Sequence, residues 1–353
     1  SDLQVRGKVG RLAARSEGID LEKSTVELNN AQLSDADLTI LLSDTAAVDT
    51  TESEALWYIH VDSLTILRSQ VDVHMPGDSM QVMAYMGRAQ AKEVIVDLAS
   101  ATYSVQSVDW HDGRLTYDLP FEPRADSGLD YNHIALSDIR LGIDSIYYHD
   151  PDLSLKIRET ALREQSGLQV TQLTGGILLD SVGIRMPGLS LATPYSNIYT
   201  RAEFDFTLMD SLAPGQLHLQ LNTQLGKPDL MLFMADMPAT FQSRWPEWPL
   251  TVRGRIDGNM QRANISEFEV TLPTAFHAST HGTVENMTNL DRLVARLDLE
   301  AESYDLGFVM GLAGKDIMQQ YRIPHGLRLS GDIEARQGRY SAFLTARGAE
   351  GTD

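Results

Sequence analysis

The sequence contains no cysteine, and its 29 Lys and Arg residues are far outnumbered by 49 Asp and Glu residues. The lack of cysteine excludes disulfides, thiol catalysis and thiolate metal sites. The formal net charge of −20 repels phosphate backbones, so nucleic-acid binding is not expected. No segment approaches the run of about 18 apolar residues that a transmembrane helix requires. The N-terminal segment also lacks the pattern of a signal peptide.

The dominant feature of the sequence is a period-two alternation of apolar and polar residues. In residues 215–226, the four leucines at 217, 219, 221 and 225 share one parity, and polar residues occupy the other. Because successive side chains of a β-strand point to opposite faces, this pattern predicts a strand with one apolar face. Similar stretches recur along the chain between Gly, Pro, Asp and Asn residues, which indicates short strands and an all-β fold. Examples lie at 38–42, 57–61, 71–75, 82–86, 94–98, 115–119, 139–143, 153–157, 202–208, 293–299, 327–333 and 340–346.

Weak internal similarity predicts a sheet of stacked, repeated units. RGKVGR (6–11), RGRIDG (253–258), HGTVEN (281–286) and SGDIEA (330–335) share a Gly followed by a polar and then an aliphatic residue. Two segments, 228–245 and 303–321, instead place apolar residues at helical spacing, and we predict that they are short helices capping the sheet. This difference predicts a continuous β segment over 1–225 and a β segment with two helical insertions over 226–353, unless both parts form one continuous structure.

A search for chemistry gives no catalytic or metal-binding set. His277 and His281 are four residues apart, but in a strand this spacing separates the two rings by about 13 Å. GLAGKD (311–316) lacks the spacing and the hydroxyl of a phosphate-binding loop. No GxSxG motif is present. The sequence therefore predicts neither an enzyme nor a bound cofactor nor a metal ion.

Several segments of the sequence resemble the TamB family of translocation and assembly module proteins, within the AsmA-like and bridge-like lipid-transfer group. These segments occur in the same order as in the family and cover most of residues 110–348. Residues 1–109 resemble the family only in the general character of their sequence. The resemblance lies in YNHIALSDIRLGIDSIYY (131–148), IRETALREQSGLQV (157–170), LTGGILLDSVGIRMPGLSLATPYSNI (173–198), FQSRWPEWPLTVRGRIDGNM (241–260), HGTVENMTNLD (281–291), YDLGFVMGL (304–312) and YRIPHGLRLSGDIEARQGRYSAFLTARG (321–348).

This resemblance implies an elongated, curved, taco-like stacked β-sheet with an apolar interior groove. It further implies a periplasmic conduit that moves phospholipid between the inner and outer membranes of a Gram-negative bacterium and supports outer-membrane biogenesis or protein assembly. The implied partners are phospholipid acyl chains, an Omp85-type barrel protein of the outer membrane and the inner membrane, reached through an anchor outside this chain. The chain would then be a piece of a longer protein without the N-terminal anchor and the C-terminal domain.

The apolar parity of the clearest strands supplies the predicted lipid-binding groove. A fourteen-carbon acyl chain in such a groove would avoid a hydration cost of about 10 kcal/mol, at about 0.8 kcal/mol per CH₂. The alternative is a structural or adhesive β-solenoid, in which the same side chains fill a self-packed core. The predicted groove residues are Phe204, Phe206, Leu208, Leu217, Leu219, Leu221, Leu293, Leu297, Leu299, Leu327, Leu329 and Ile333.

Overall fold

The computed structural model describes residues 3–42, 56–75, 77, 79–210, 212–312, 326–336 and 339–348. Strands account for 67% of the residues and helices for 8%, which confirms the prediction of an all-β fold built from curved, unclosed sheet with few helices. The chain divides into two compact units between Ser181 and Val182. The predicted change near residue 226 falls inside the second unit, where a strand gives way to a helix. Within the described residues, no helix combines the length and apolar character needed to cross a bilayer.

Over its described residues, the first unit is a sheet of nine strands in which almost all neighbouring strands are antiparallel. The exception is the parallel pair of the second and third strands. The first six strands are 17 or 18 residues long. The strands are β1 (Leu3–Asp20), β2 (Thr25–Leu42), β3 (Tyr58–Met75), β4 (Met80–Asp97), β5 (Thr102–Asp118), β6 (His133–His149), β7 (Asp152–Glu164), β8 (Gln169–Val170) and β9 (Gln172–Leu179).

A row of backbone kinks crosses these long strands. Asp35, Arg68, Asp112 and Asp138 have positive φ angles between 46° and 54° in the middle of β2, β3, β5 and β6. On β4 the row continues at Gly87, which lies opposite Asp112. A methyl group on Gly87 would lie 2.7 Å from the Asp112 Cβ, so glycine alone fits there without a shift of its neighbour. We call this line of residues the kink row.

The kinks explain why the predicted strands are too short. Along β3 the apolar residues occupy odd positions, then even positions, then odd positions again, so a fixed period of two covers only one segment at a time. The segments 57–61 and 71–75, predicted as separate strands, therefore contribute to one strand. HDGR (111–114), which resembles a turn in sequence, contains the kink of β5. The apolar residues that show this change along β3 are Ile59, Val61, Leu64, Ile66, Val71 and Val73, while Leu67 lies next to the kink at Arg68.

In its described residues, the second unit is an antiparallel sheet of shorter strands with two short α-helices. The same residues contain three 3₁₀ helices, at Phe206–Met209, Leu290–Arg292 and Val309–Leu312. The regular elements are β10 (Gly183–Ala192), β11 (Asn197–Asp205), β12 (Leu217–Leu225), α1 (Lys227–Phe233), α2 (Ala239–Arg244), β13 (Leu250–Gly258), β14 (Arg262–Leu272), β15 (Phe276–Glu285), β16 (Val294–Ser303), β17 (Arg328–Arg336) and β18 (Arg339–Arg347).

The helices form a cap on one end of this sheet. Phe241, Trp245 and Phe308 pack edge-to-face or tilted, with ring centroids 5.0–5.8 Å apart. They surround Leu272 and Ala275, which are fully buried. The cap thus supplies a closed hydrophobic core, and the helical prediction for 228–245 is confirmed. Within the predicted helix 303–321, Ser303 ends β16, only 309–312 are helical, and 313–321 lie outside the described residues.

A buried polar network attaches the cap to the sheet. The hydroxyl groups of Thr193 and Ser196, in the turn between β10 and β11, both donate hydrogen bonds to the Asp229 carboxylate. The backbone N–H of Gly226, the residue that precedes α1, in turn donates to the Ser196 hydroxyl. Gly226 is the N-cap residue of α1, whereas Asp229 lies in the first turn of that helix and accepts the hydrogen bonds from the turn between β10 and β11.

We expect Phe241→Ala to lower the free energy of unfolding of the second unit by about 3–5 kcal/mol, because it opens a cavity among closely packed rings. Phe233→Ala is the matched control, since Phe233 is 56% exposed on α1 and its loss should change stability little. Chemical denaturation of the two variants measures the difference. Equal effects would mean that the cap is not a cooperative part of this unit.

Candidate functional site

Cross-strand register gathers the apolar residues of the second unit on one face. Residues directly opposite each other in antiparallel strands share a face, so successive pairings trace rows across the sheet. The row through Leu219 consists of Met186, Ala202, Leu219, Ile256, Ile265, Gly282 and Leu297. The next two rows consist of Leu189, Thr200, Leu221, Gly254, Phe268, Thr280 and Leu299, and of Ile184, Phe204, Leu217, Gly258, Ala263, Val284 and Ala295.

The large side chains of this apolar face remain partly accessible. Its buried members are small residues such as Ala202, Ala263 and Ala295. The leucines at 217, 219, 221, 297 and 299 are only half-buried. In a two-layer sheet protein, residues of this size would be covered by a facing layer. Away from the helical cap, the face therefore offers apolar surface to a ligand.

The opposite face of the same strands is polar, as the alternation predicts. Arg201 and Arg255 flank Gln220 in register, and Arg296, Asp298 and Glu300 are exposed on β16. His218 Nδ1 lies 2.9 Å from the Asp257 carboxylate, in a cross-strand hydrogen bond. The two faces of this sheet thus differ sharply in polarity.

Most predicted groove residues lie on this apolar face, but two lie in a 3₁₀ helix. Phe206 and Leu208 belong to the 3₁₀ helix that follows β11, and Phe206 is 54% exposed. The prediction that they continue an alternating strand is wrong, because the chain turns after Asp205. The Phe206 N–H donates to the carbonyl of Val182, and the Asp205 carboxylate accepts from the N–H of Gln216.

The remaining predicted residues lie on or beside strands. Leu293 and Leu327 are the residues just before β16 and β17, and both are half-buried. Leu329 pairs with Ala301 on the apolar side. Ile333 lies opposite Leu297 in β17, and its side chain is outside the described part.

The first unit contains an apolar pocket at the kink row that the sequence did not single out. Its volume is about 270 Å³. The pocket is lined by residues from both sides of the kink row. Met86 and Ala89 flank Gly87 on β4, and Trp110 and Leu115 flank Asp112 on β5. The pocket therefore extends across the kink row. All lining residues except Gln90 are apolar: Leu64, Ile66, Ala84, Met86, Ala89, Ala91, Val108, Trp110 and Leu115.

Two features keep this pocket open. Three of the lining residues are alanines, at 84, 89 and 91, and their methyl groups are too small to fill the pocket. The Trp110 ring instead lies over Gly113, where an added methyl group would approach the indole within 2.5 Å. A pattern search could have found the pocket only by allowing the apolar parity to change at Asp112 and Arg68.

Charged side chains brace the kink row. Arg68 on β3 donates two hydrogen bonds to the Asp35 carboxylate on β2, at 2.7 and 2.8 Å. These hydrogen bonds hold the pKa of Asp35 below its usual value. Because both side chains are more than half exposed, solvent screening limits what the pair contributes to stability. This ion pair links β2 to β3 at the kink row.

The histidines considered from the sequence are not brought together as a metal site. His277 forms a 2.8 Å hydrogen bond with Thr271, whereas His281 lies near the Asp298 carboxylate. The structure does bring together His60, Asp62 and Glu93, which no local sequence spacing relates, because Glu93 lies on the neighbouring strand.

Comparison with known proteins gives no named relative: no protein-family model, no curated protein and no solved structure matches this chain.

Proposed function

We propose that the chain binds phospholipid acyl chains along its apolar sheet faces and forms part of a lipid conduit. The observation that carries this proposal is the accessible apolar pocket of about 270 Å³ at the kink row. The half-buried leucines of the second unit extend the same property to its sheet. Each CH₂ group withdrawn from water contributes about 0.8 kcal/mol, so an acyl chain gains affinity from length without needing polar contacts.

The polarity of the two faces supports transport as well as binding. A row without charged groups presents no site at which a sliding acyl chain must desolvate a charge. The charged residues of the second unit, among them Arg201, Arg296 and Asp298, lie on the opposite face. An enzyme would require convergent polar groups in the pocket, and only Gln90 lines it among the described residues. We therefore propose a non-enzymatic role.

The resemblance to the TamB family extends the proposal to a cellular setting. In this proposal the chain lies in the periplasm of a Gram-negative bacterium and belongs to a protein anchored in the inner membrane. Its partners are phospholipids and an Omp85-type protein of the outer membrane. The function is phospholipid movement between the two membranes in support of outer-membrane biogenesis.

Mass spectrometry of lipids extracted from the purified chain tests the proposal. We expect phospholipids at close to stoichiometric amounts, and we expect a lipid-stripped sample to take up fluorescent phospholipid from vesicles. A sample that carries no lipid and takes up none would contradict the proposal. That result would favour the alternative, a structural or adhesive β-solenoid whose apolar side chains only pack against each other.

A further inference from the structure

A second cluster of functional groups lies on the polar side of the first unit. His60 and Asp62 are two residues apart on β3, and Glu93 lies on the antiparallel neighbour β4. The register pairs Val61 with Val94 and Ser63 with Lys92, which places Asp62 opposite Glu93. His60 Nε2 is 3.2 Å from Glu93 Oε2 and 3.7 Å from Asp62 Oδ1. One imidazole nitrogen and two carboxylate oxygens therefore converge.

The separations of these donor atoms suit a small divalent ion. A tetrahedral zinc ion with bonds of 2.0–2.2 Å holds its donor atoms about 3.4 Å apart. The two measured distances lie on either side of that value, and all three donor atoms lie within 4.8 Å of one another. Rotation of the half-exposed Asp62 and Glu93 carboxylates would close the remaining difference.

A neighbouring amide fixes the orientation of one carboxylate. Asn29 Nδ2 on β2 donates to the Asp62 carboxylate at 3.3 Å and to the Glu17 carboxylate at 3.1 Å. Outer hydrogen bonds of this kind orient ligands in metal sites and increase their affinity. Asn29 thus ties a third strand to the cluster.

The local charge is not balanced by basic side chains. Among the described residues, no Lys or Arg nitrogen lies within 4.0 Å of the Asp62 or Glu93 carboxylate. Three other carboxylates of this unit do have a basic partner, since Asp35 pairs with Arg68, and both Asp109 and Asp144 pair with Arg158. Like charges that share a site repel each other, and a bound cation removes that repulsion.

We infer that His60, Asp62 and Glu93 bind one divalent transition-metal ion, with zinc as the best match to an N and O donor set. The ion would join β3 to β4 on the polar side of the sheet, and Asn29 would act as a positioning residue. This site is independent of the proposed lipid function, because its donors lie outside the apolar pocket. It also departs from the expectation from sequence that the chain binds no metal.

Calorimetric titration of the chelator-treated chain with zinc chloride tests the inference. We expect one site per chain, with the dissociation constant raised at least tenfold in His60→Ala and in Glu93→Gln. Asn29→Ala should raise it about tenfold, because the loss of an outer hydrogen bond typically weakens a metal site by that factor. Glu93→Gln keeps the size of the side chain, so its effect is not one of lost packing.

The matched control is His74→Ala on the same strand. His74 Nε2 lies 3.0 Å from the Asp72 carboxylate, which reproduces the His and Asp pair two residues apart, while His74 and Asp72 belong to no three-ligand group in the described part. This variant should bind zinc like the wild type. Absence of zinc binding to the wild type, or equal losses in His74→Ala and His60→Ala, would overturn the assignment.

Discussion

Leu219→Asp is expected to reduce phospholipid transfer at least tenfold while lowering the melting temperature only modestly. Leu219 is half-buried between Ala202 and Ile256 in the central row of the apolar face. A carboxylate there stays hydrated, and an acyl chain must desolvate it to pass, at a cost of several kcal/mol. Because the face is not covered in this region, the folded chain itself pays little to keep the charge in water.

The control for this variant is Gln220→Asp, one residue further along β12. Gln220 points to the polar face and lies in register with Arg201 and Arg255, so a carboxylate is electrostatically accommodated. His218, the control that the alternation first suggests, is unsuitable, because its hydrogen bond to Asp257 would be replaced by a repulsion. If the Leu219→Asp variant unfolds while Gln220→Asp folds and transfers lipid like the wild type, the apolar face is a closed core, and the solenoid is favoured.

Ala91→Phe is expected to remove most of the lipid bound by the first unit. Ala91 lies in register with Leu64 and Val108, and all three line the pocket at the kink row. A benzyl group at this position occupies the space that an acyl chain would fill, and it adds no charge. Since the pocket is empty space rather than packed core, the stability should change by no more than about 1 kcal/mol. Quantitative lipid extraction from the variant provides the measurement.

Thr65→Phe is the corresponding control on the other face of the sheet. Thr65 follows Leu64 on β3 but does not line the pocket, so the same side chain is added outside the apolar row. Its lipid content should match that of the wild type. Equal lipid content in all three proteins would show that the pocket does not hold lipid.

The second unit illustrates what alternation predicts well. One period of two describes the short strand β12, and Leu217, Leu219 and Leu221 lie on one face as expected. A bulge shifts the apolar parity once within β10 and once within β14. The prediction fails after Asp205, although the alternation continues to Leu208. Backbone hydrogen bonds accepted by the Asp205 and Asp210 carboxylates turn the chain there, and such turns depend on partners that alternation does not encode.

The first unit shows why the predicted strands were shorter than the observed ones. Each kink residue shifts the apolar parity by one, so a long strand resembles several short strands with turns between them. Asp112 and Gly113 resemble a turn in sequence, yet they lie in the middle of β5. Only the pairing of Gly87 with Asp112 across two strands reveals their role, and this pairing depends on tertiary register. The proximity of His60 and Glu93 likewise depends on the register between β3 and β4, which local sequence patterns do not encode.

Site-specific photo-crosslinking to lipid in living cells tests the central claim most directly. A photoreactive amino acid would replace Leu64 or Leu219 on the apolar faces, and Thr65 or Gln220 on the opposite faces. The account predicts phospholipid adducts at Leu64 and Leu219 and none above background at Thr65 and Gln220. Adducts of equal yield at all four positions, or no adduct at Leu64 and Leu219, would contradict it.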